Sequence, residues 1–107
     1  MKNLFDIPEK AATEENVDRL LQAGPVTVER IVSTGQTSPP GIWYDQTWDE
    51  WVAVLQGAAL LAFDDGSSVH LDAGDFLLLP AHRRHRVTFT SAFPPCVWLA
   101  VHVGRKD

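Results

Sequence analysis

Gly74 to Phe89 reads GDFLLLPAHRRHRVTF. A Gly-Asp turn leads into four apolar residues, Phe76–Leu79. Pro80 ends that run because its ring removes a backbone donor. A short basic turn follows, with His82 and His85 placed around Arg83 and Arg84. The chain then returns into an alternating strand, Arg86–Thr90. A continuous apolar strand is covered on both faces, whereas alternation marks a strand with one buried face. Two strands joined by a basic turn, with His85 at the mouth of the second, frame a small site.

The same grammar extends to both sides. Upstream lie Val26–Val32 (with a phase slip at Ile31-Val32 that suggests a bulge), Ile42–Asp45, Glu50–Gln56, Ala58–Phe63 and Ser67–Leu71. Asp64-Asp65-Gly66 is a hairpin signal, and Asp72–Asp75 is another turn. Downstream, a Pro94-Pro95 loop precedes Val97–Val103. About eight short strands separated by turn residues predict an all-β sandwich or barrel. Before them, Thr13–Ala23 reads as a short helix. Thr13 is its cap, Glu14 and Glu15 stand in the first turn, Val17, Leu20 and Leu21 form its stripe, and Gly24-Pro25 is its stop. Leu4, Phe5 and Ile7 are expected to pin the lead-in to the barrel wall, and Pro8 to stop any regular element there. The organisation expected is one domain over 1–107, with an arm and helix in 1–25 and a barrel in 26–103.

Composition narrows the function classes. The 107 residues carry a net charge of −5, with 45% hydrophobic and 21% charged residues. That balance suits a globular domain and argues against nucleic acid, which needs a basic face. It argues equally against a polybasic membrane anchor. One cysteine, Cys96, excludes an intrachain disulfide. The first residues lack the apolar core of a signal peptide, and no apolar run approaches a membrane span. The cytoplasm is the expected location.

At this point the spacing resembles a small single-domain cupin, a jelly-roll β-barrel. The second cupin motif places a glycine, a proline and a metal-binding histidine where Gly74, Pro80 and His85 stand. His82 occupies the usual glycine position, and Phe89 the position of a frequent asparagine. The first motif's glutamate and glycine are matched by Glu50 and Gly57. Its two histidines are replaced by Tyr44 and Gln46. The resemblance covers about Ile42 to His102. It implies a cupin barrel, with the short helix added at its N-terminus, that binds a small molecule. It also implies a divalent metal (Mn, Fe, Ni or Zn) as the candidate cofactor, and no organic one. Because the superfamily includes dioxygenases, isomerases and sensing modules, the fold alone does not fix an activity.

Several side chains are candidates for that site, and each has a plainer alternative. His85 shares a strand face with Val87 and Phe89, so it is a ligand or a buried, hydrogen-bonded core group. Glu50 shares a face with Val52 and Val54. A carboxylate turned inward needs a cation or donors, unless it sits at the wet rim. Tyr44 and Gln46 point to one side and would complete a metal shell with Glu50 and His85. One nitrogen and three oxygens suit a hard or borderline ion, and the lost histidine pair weakens such a shell. His82 is the candidate acid–base group, or a loop residue. His102, in a row with Trp98 and Ala100, is a third imidazole at the cavity, or belongs to core or interface. Trp43 and Trp48 would shape the pocket, and Arg84 in the basic turn would hold a small anion or merely balance nearby acids. Trp51 points away from the cavity, and an outer sheet face is expected to meet a second copy in a homodimer. The competing readings are a metal-free module for a small anion, a metal-dependent dioxygenase or isomerase, and a structural dimer with an inert cavity.

Overall fold

Among the described residues the turn signals translate into eight antiparallel strands. They are β1 (Asn16–Ala23), β2 (Val26–Ser33), β3 (Asp49–Gln56), β4 (Ala58–Phe63), β5 (Ser68–Asp72), β6 (Phe76–Leu79), β7 (His85–Thr90) and β8 (Cys96–Val103). A computed structural model describes residues 2–7 and 13–104; the stop expected at Pro8 lies outside them. One sheet has the order β1-β2-β8-β3-β6 and the other β5-β4-β7. The two pack face to face around Val52, Val54, Leu61, Phe63, Leu71, Leu79, Trp98 and Ala100. This is a jelly-roll barrel whose inner residues come from every second position of each strand.

The helix expected over Thr13–Ala23 is not formed. Asn16–Ala23 is instead the edge strand β1, paired with β2 from Asn16↔Val32 to Ala23↔Val26. Gly24-Pro25 does not stop a helix; it closes a two-residue hairpin. Gly24 supplies the positive φ of 55° that a glycine-first turn requires. Three apolar residues offer an isolated helix little to bury, whereas pairing satisfies a whole row of β1 backbone groups. The helix-like spacing of Val17, Leu20 and Leu21 comes from a bulge between Arg19 and Leu21. Val17 lies opposite Ile31, and Leu21 opposite Val28.

Three further expectations change. The β2–β8 ladder is regular from Val26↔Val103 to Ser33↔Cys96, so β2 has no bulge at Ile31. Its inward set is Thr27, Glu29, Ile31 and Ser33. Phe89 does not stay on the His85 face. A register shift in the β4–β7 pairing turns Phe89 outward, 43% exposed, and brings Thr90 in. Ile42–Asp45 is not a strand; only Tyr44 forms a bridge there, to His85. The lead-in is held less by Leu4 and Phe5, both exposed, than by Arg30. Its guanidinium donates to the Leu4 and Asp6 carbonyl oxygens at 3.2 and 2.7 Å and pairs with Asp18. Among the described residues no helix is long and apolar enough to cross a membrane.

Candidate functional site

Between the sheets lies a cavity of about 290 Å³. Its apolar wall is Ile31, Val52, Leu61, Leu79, Val87 and Trp98, and its polar lining includes Tyr44, Gln46, Trp48, Glu50, His85 and His102. Glu15 and Glu29 complete the acidic part. The register explains the grouping. Across β2, β8 and β3, Thr27, His102 and Glu50 form one row, because Thr27 pairs with His102 and His102 with Glu50. His85 opens β7 on the opposite sheet, across the cavity from that row.

Glu50 is buried, at 8% exposure. Among the described residues its carboxylate has no hydrogen-bond or ion-pair partner. Buried polar groups in proteins are almost always partnered, and the group the Glu50 carboxylate faces is the cavity itself. His85 is buried too, at 5%. Its Nδ1 lies 2.8 Å from the Arg83 carbonyl oxygen. A carbonyl can only accept, so Nδ1 carries a proton and donates. In the neutral ring, Nε2 then presents a lone pair. The ring is held in place by stacking on Tyr44, with centroids 5.4 Å apart. Two backbone bonds between Tyr44 and His85 fix that pair. A backbone carbonyl on one nitrogen with the other left open is how proteins orient an imidazole toward a ligand.

His102 is occupied on both sides. Trp48 Nε1 donates to its Nδ1 at 2.8 Å, and its Nε2 lies 2.8 Å from Glu29 Oε1. An indole N–H is a donor only, so Nδ1 is unprotonated and Nε2–H points at Glu29. His102 is therefore a neutral link between Trp48 and Glu29, and it offers the cavity no free nitrogen. A second relay runs from Trp98 Nε1 to Ser33 Oγ at 3.1 Å and on to the Glu15 carboxylate.

The remaining sequence candidates sit elsewhere. His82 is exposed on the turn, with a positive φ of 65°, and its Nδ1 meets Asp45 Oδ1 at 2.8 Å. It does not line the cavity, and nor does Trp43, whose ring lies near the Arg86 guanidinium. Arg84 pairs with Asp64 at 3.8 Å. Arg83 pairs with Asp65 and lies 4.1 Å above the Phe63 ring centre. Side-chain and backbone bonds from Ser67 hold the Asp65 carboxyl below its usual range. Cys96 is buried and free, and burial pushes its thiol up to about 12, which leaves no thiolate to act as a nucleophile near neutral pH. Sequence reasoning passed over Glu15 and Glu29. The alternation Thr27-x-Glu29-x-Ile31-x-Ser33 carries the signal for Glu29, but Val26 and Val28 made the opposite face look like the buried one.

Residues 29–102 match the Cupin domain family. The chain belongs to the cupin family. Solved structures agree. This cupin is 42% identical to a Ralstonia eutropha JMP134 protein provisionally named a mannose-6-phosphate isomerase, with a TM-score of 0.91 and 98% of each chain covered. A cupin superfamily protein of Desulfitobacterium hafniense DCB-2 superposes with a TM-score of 0.74 at 20% identity, covering 92% of this chain and 84% of that one. KdgF of a Halomonas species gives 0.75 at 17%, covering 92% and 86%. The latter two show the shared fold alone. A search of curated proteins returned no match.

Proposed function

We propose that this cupin binds a small polar molecule inside the barrel, anchored between Glu50 and the open nitrogen of His85. The observation that carries the reading is the Glu50 carboxylate, turned into the cavity with no partner among the described residues. A ligand that donates to it gains a charge-assisted hydrogen bond in a largely apolar setting. Tyr44 and Trp48 supply aromatic surface beside it.

A divalent metal is the cofactor that cupin membership suggests. For Mn, Fe, Ni or Zn the cavity offers two strong donors, the Glu50 carboxylate and His85 Nε2. Gln46 and Tyr44 add weak oxygens, and His102 has no nitrogen to give. Among the described residues no group of three or more His, Cys, Asp or Glu is arranged to hold a metal. Metal sites in proteins rest on three or four protein donors, so the residues do not fit a tightly resident metal. The anion reading has little support either. Arg83 and Arg84 face Asp65 and Asp64, and no lysine or arginine appears among the described lining residues. The same lack speaks against a sugar phosphate, the substrate implied by the Ralstonia protein's name.

The test is a screen of small polar molecules by indole NMR, since Trp48 and Trp98 both line the cavity. Molecules that shift those two signals should lose about tenfold or more in affinity in Glu50→Gln and in His85→Ala. Hits that bind both variants as well as the parent contradict the site.

A second copy of the chain is the proposed protein partner. The outer face of the larger sheet carries Phe76, Leu78 and Val103, at 66, 56 and 47% exposure, with the Trp51 ring tilted against Phe76 at 5.7 Å between centroids. Two such faces are self-complementary about a twofold axis. A free buried thiol suits the reducing cytoplasm.

A further inference from the structure

We propose that the ligand of this cavity is an organic cation: a small amine, held as its ammonium between Glu50, His85 and the aromatic wall. The inference rests on the reading of the cavity as a ligand site and names the class of molecule that fits it. Four observations lead there.

The first is charge. Glu50 brings a negative charge to the cavity, with no cation paired to it among the described residues. Glu15 stands in the same lining, its carboxylate accepting from the neutral Ser33 hydroxyl. Among the described residues the lining contains no lysine and no arginine. A monoanion or dianion entering here would face carboxylates without a lysine or arginine among the described lining residues to balance it. A monocation would neutralise Glu50.

The second is the pattern of donors and acceptors. Glu50 only accepts when ionised, and His85 Nε2 accepts because Nδ1–H is committed to the Arg83 carbonyl at 2.8 Å. Two acceptors on opposite sheets call for a ligand that donates in both directions. An ammonium carries its donors on one atom together with its charge.

The third is the wall. Tyr44, Trp48 and Trp98 all line the cavity. Aromatic faces attract cations, most strongly where water is excluded, so rings beside a carboxylate favour an ammonium over a neutral alcohol of the same shape.

The fourth is the metal deficit. The two strong donors that a metal would need, Glu50 and His85, are also the two groups that an ammonium would satisfy. An ammonium does not require the third and fourth protein donors that the cavity lacks. The volume, about 290 Å³, equals the space of about ten waters, enough for a molecule of the size of cyclohexylamine.

The experiment compares three probes of one shape and different charge: cyclohexylamine, cyclohexanol and cyclohexyl phosphate. Each is titrated against the parent, Glu50→Gln, His85→Ala and the peripheral Arg84→Ala, at pH 7 and low salt. Affinity is read from the Trp48 and Trp98 indole signals, and circular dichroism confirms that each variant is folded. The amine should bind at least about tenfold tighter than the alcohol, and the phosphate more weakly than either. Glu50→Gln should erase the advantage of the amine, and Arg84→Ala should leave it intact. If the alcohol or the phosphate binds best and still depends on Glu50 and His85, the site stands and the cation assignment is overturned. If no probe depends on either residue, the site itself is overturned with it. Micromolar binding of Ni²⁺ or Mn²⁺ that needs both residues would also overturn the assignment, since it would give that position to a metal.

Discussion

His102 uses both of its nitrogens, and this fixes more than its own orientation. Trp48 stands on the loop that leads into β3, and its indole N–H requires an unprotonated Nδ1 on His102. Glu29 then accepts a hydrogen bond from Nε2–H. Removing the indole donor in Trp48→Phe strands a buried nitrogen, and a loss of about 1–2 kcal/mol is expected. Chemical denaturation measures that loss, and nitrogen NMR of the parent should show His102 in the Nε2–H form. A doubly protonated His102 at neutral pH would contradict the relay. At this scale the sequence was informative for Glu50 and His85, because strand alternation and motif spacing both turn them inward. It was uninformative for His82, Trp43 and Arg84. Proximity along the chain brought those three near the motif, but the turn faces His82 and Arg84 outward onto Asp45 and Asp64, and Trp43 lies in the loop before β3, near Arg86. Glu29 was hidden for the opposite reason: a glutamate out of phase with Val26 and Val28 reads as the solvent side.

Strands β2 to β8 were legible from their turns, while the bulges were not. One extra residue flips every later side chain to the other face, which is why Phe89 left the cavity and why β1 imitated a helix. Turn chemistry can also be misread, since Gly24-Pro25 ends a helix or makes a hairpin in the same two letters. Gly57, between β3 and β4, is the glycine where geometry leaves no choice. Its φ is 81°, and an added Cβ would come within 2.3 Å of Ser91 Oγ and 3.0 Å of the Cys96 backbone. Strain and overlap together predict a loss of about 3 kcal/mol or more for Gly57→Ala, read as a fall in the denaturation midpoint. A neutral result would mean that the β3–β4 turn and the 91–96 loop can separate without cost. The glycine of the first motif therefore has a structural task in this chain, distinct from ligand binding.

At the level of the whole molecule, one sheet face exposes Phe76, Leu78 and Val103 and one cavity is lined by polar and charged groups. The exposed face predicts association. Phe76→Glu should convert a dimer to a monomer in light scattering at micromolar concentration, with the fold retained, because a charge at the centre of an apolar contact is costly. A monomeric parent would contradict the shared face. The cavity carries the central claim, that the Glu50 carboxylate is turned into it for a ligand and not for a partner within the fold. Thermal unfolding of Glu50→Gln beside the parent tests it most directly. The side chains match in shape and no bond to a described protein group is lost, so Tm should rise or stay within about 2 °C of the parent. A Tm that falls by about 5 °C or more would mean that Glu50 is satisfied within the fold and that the cavity was not built around it.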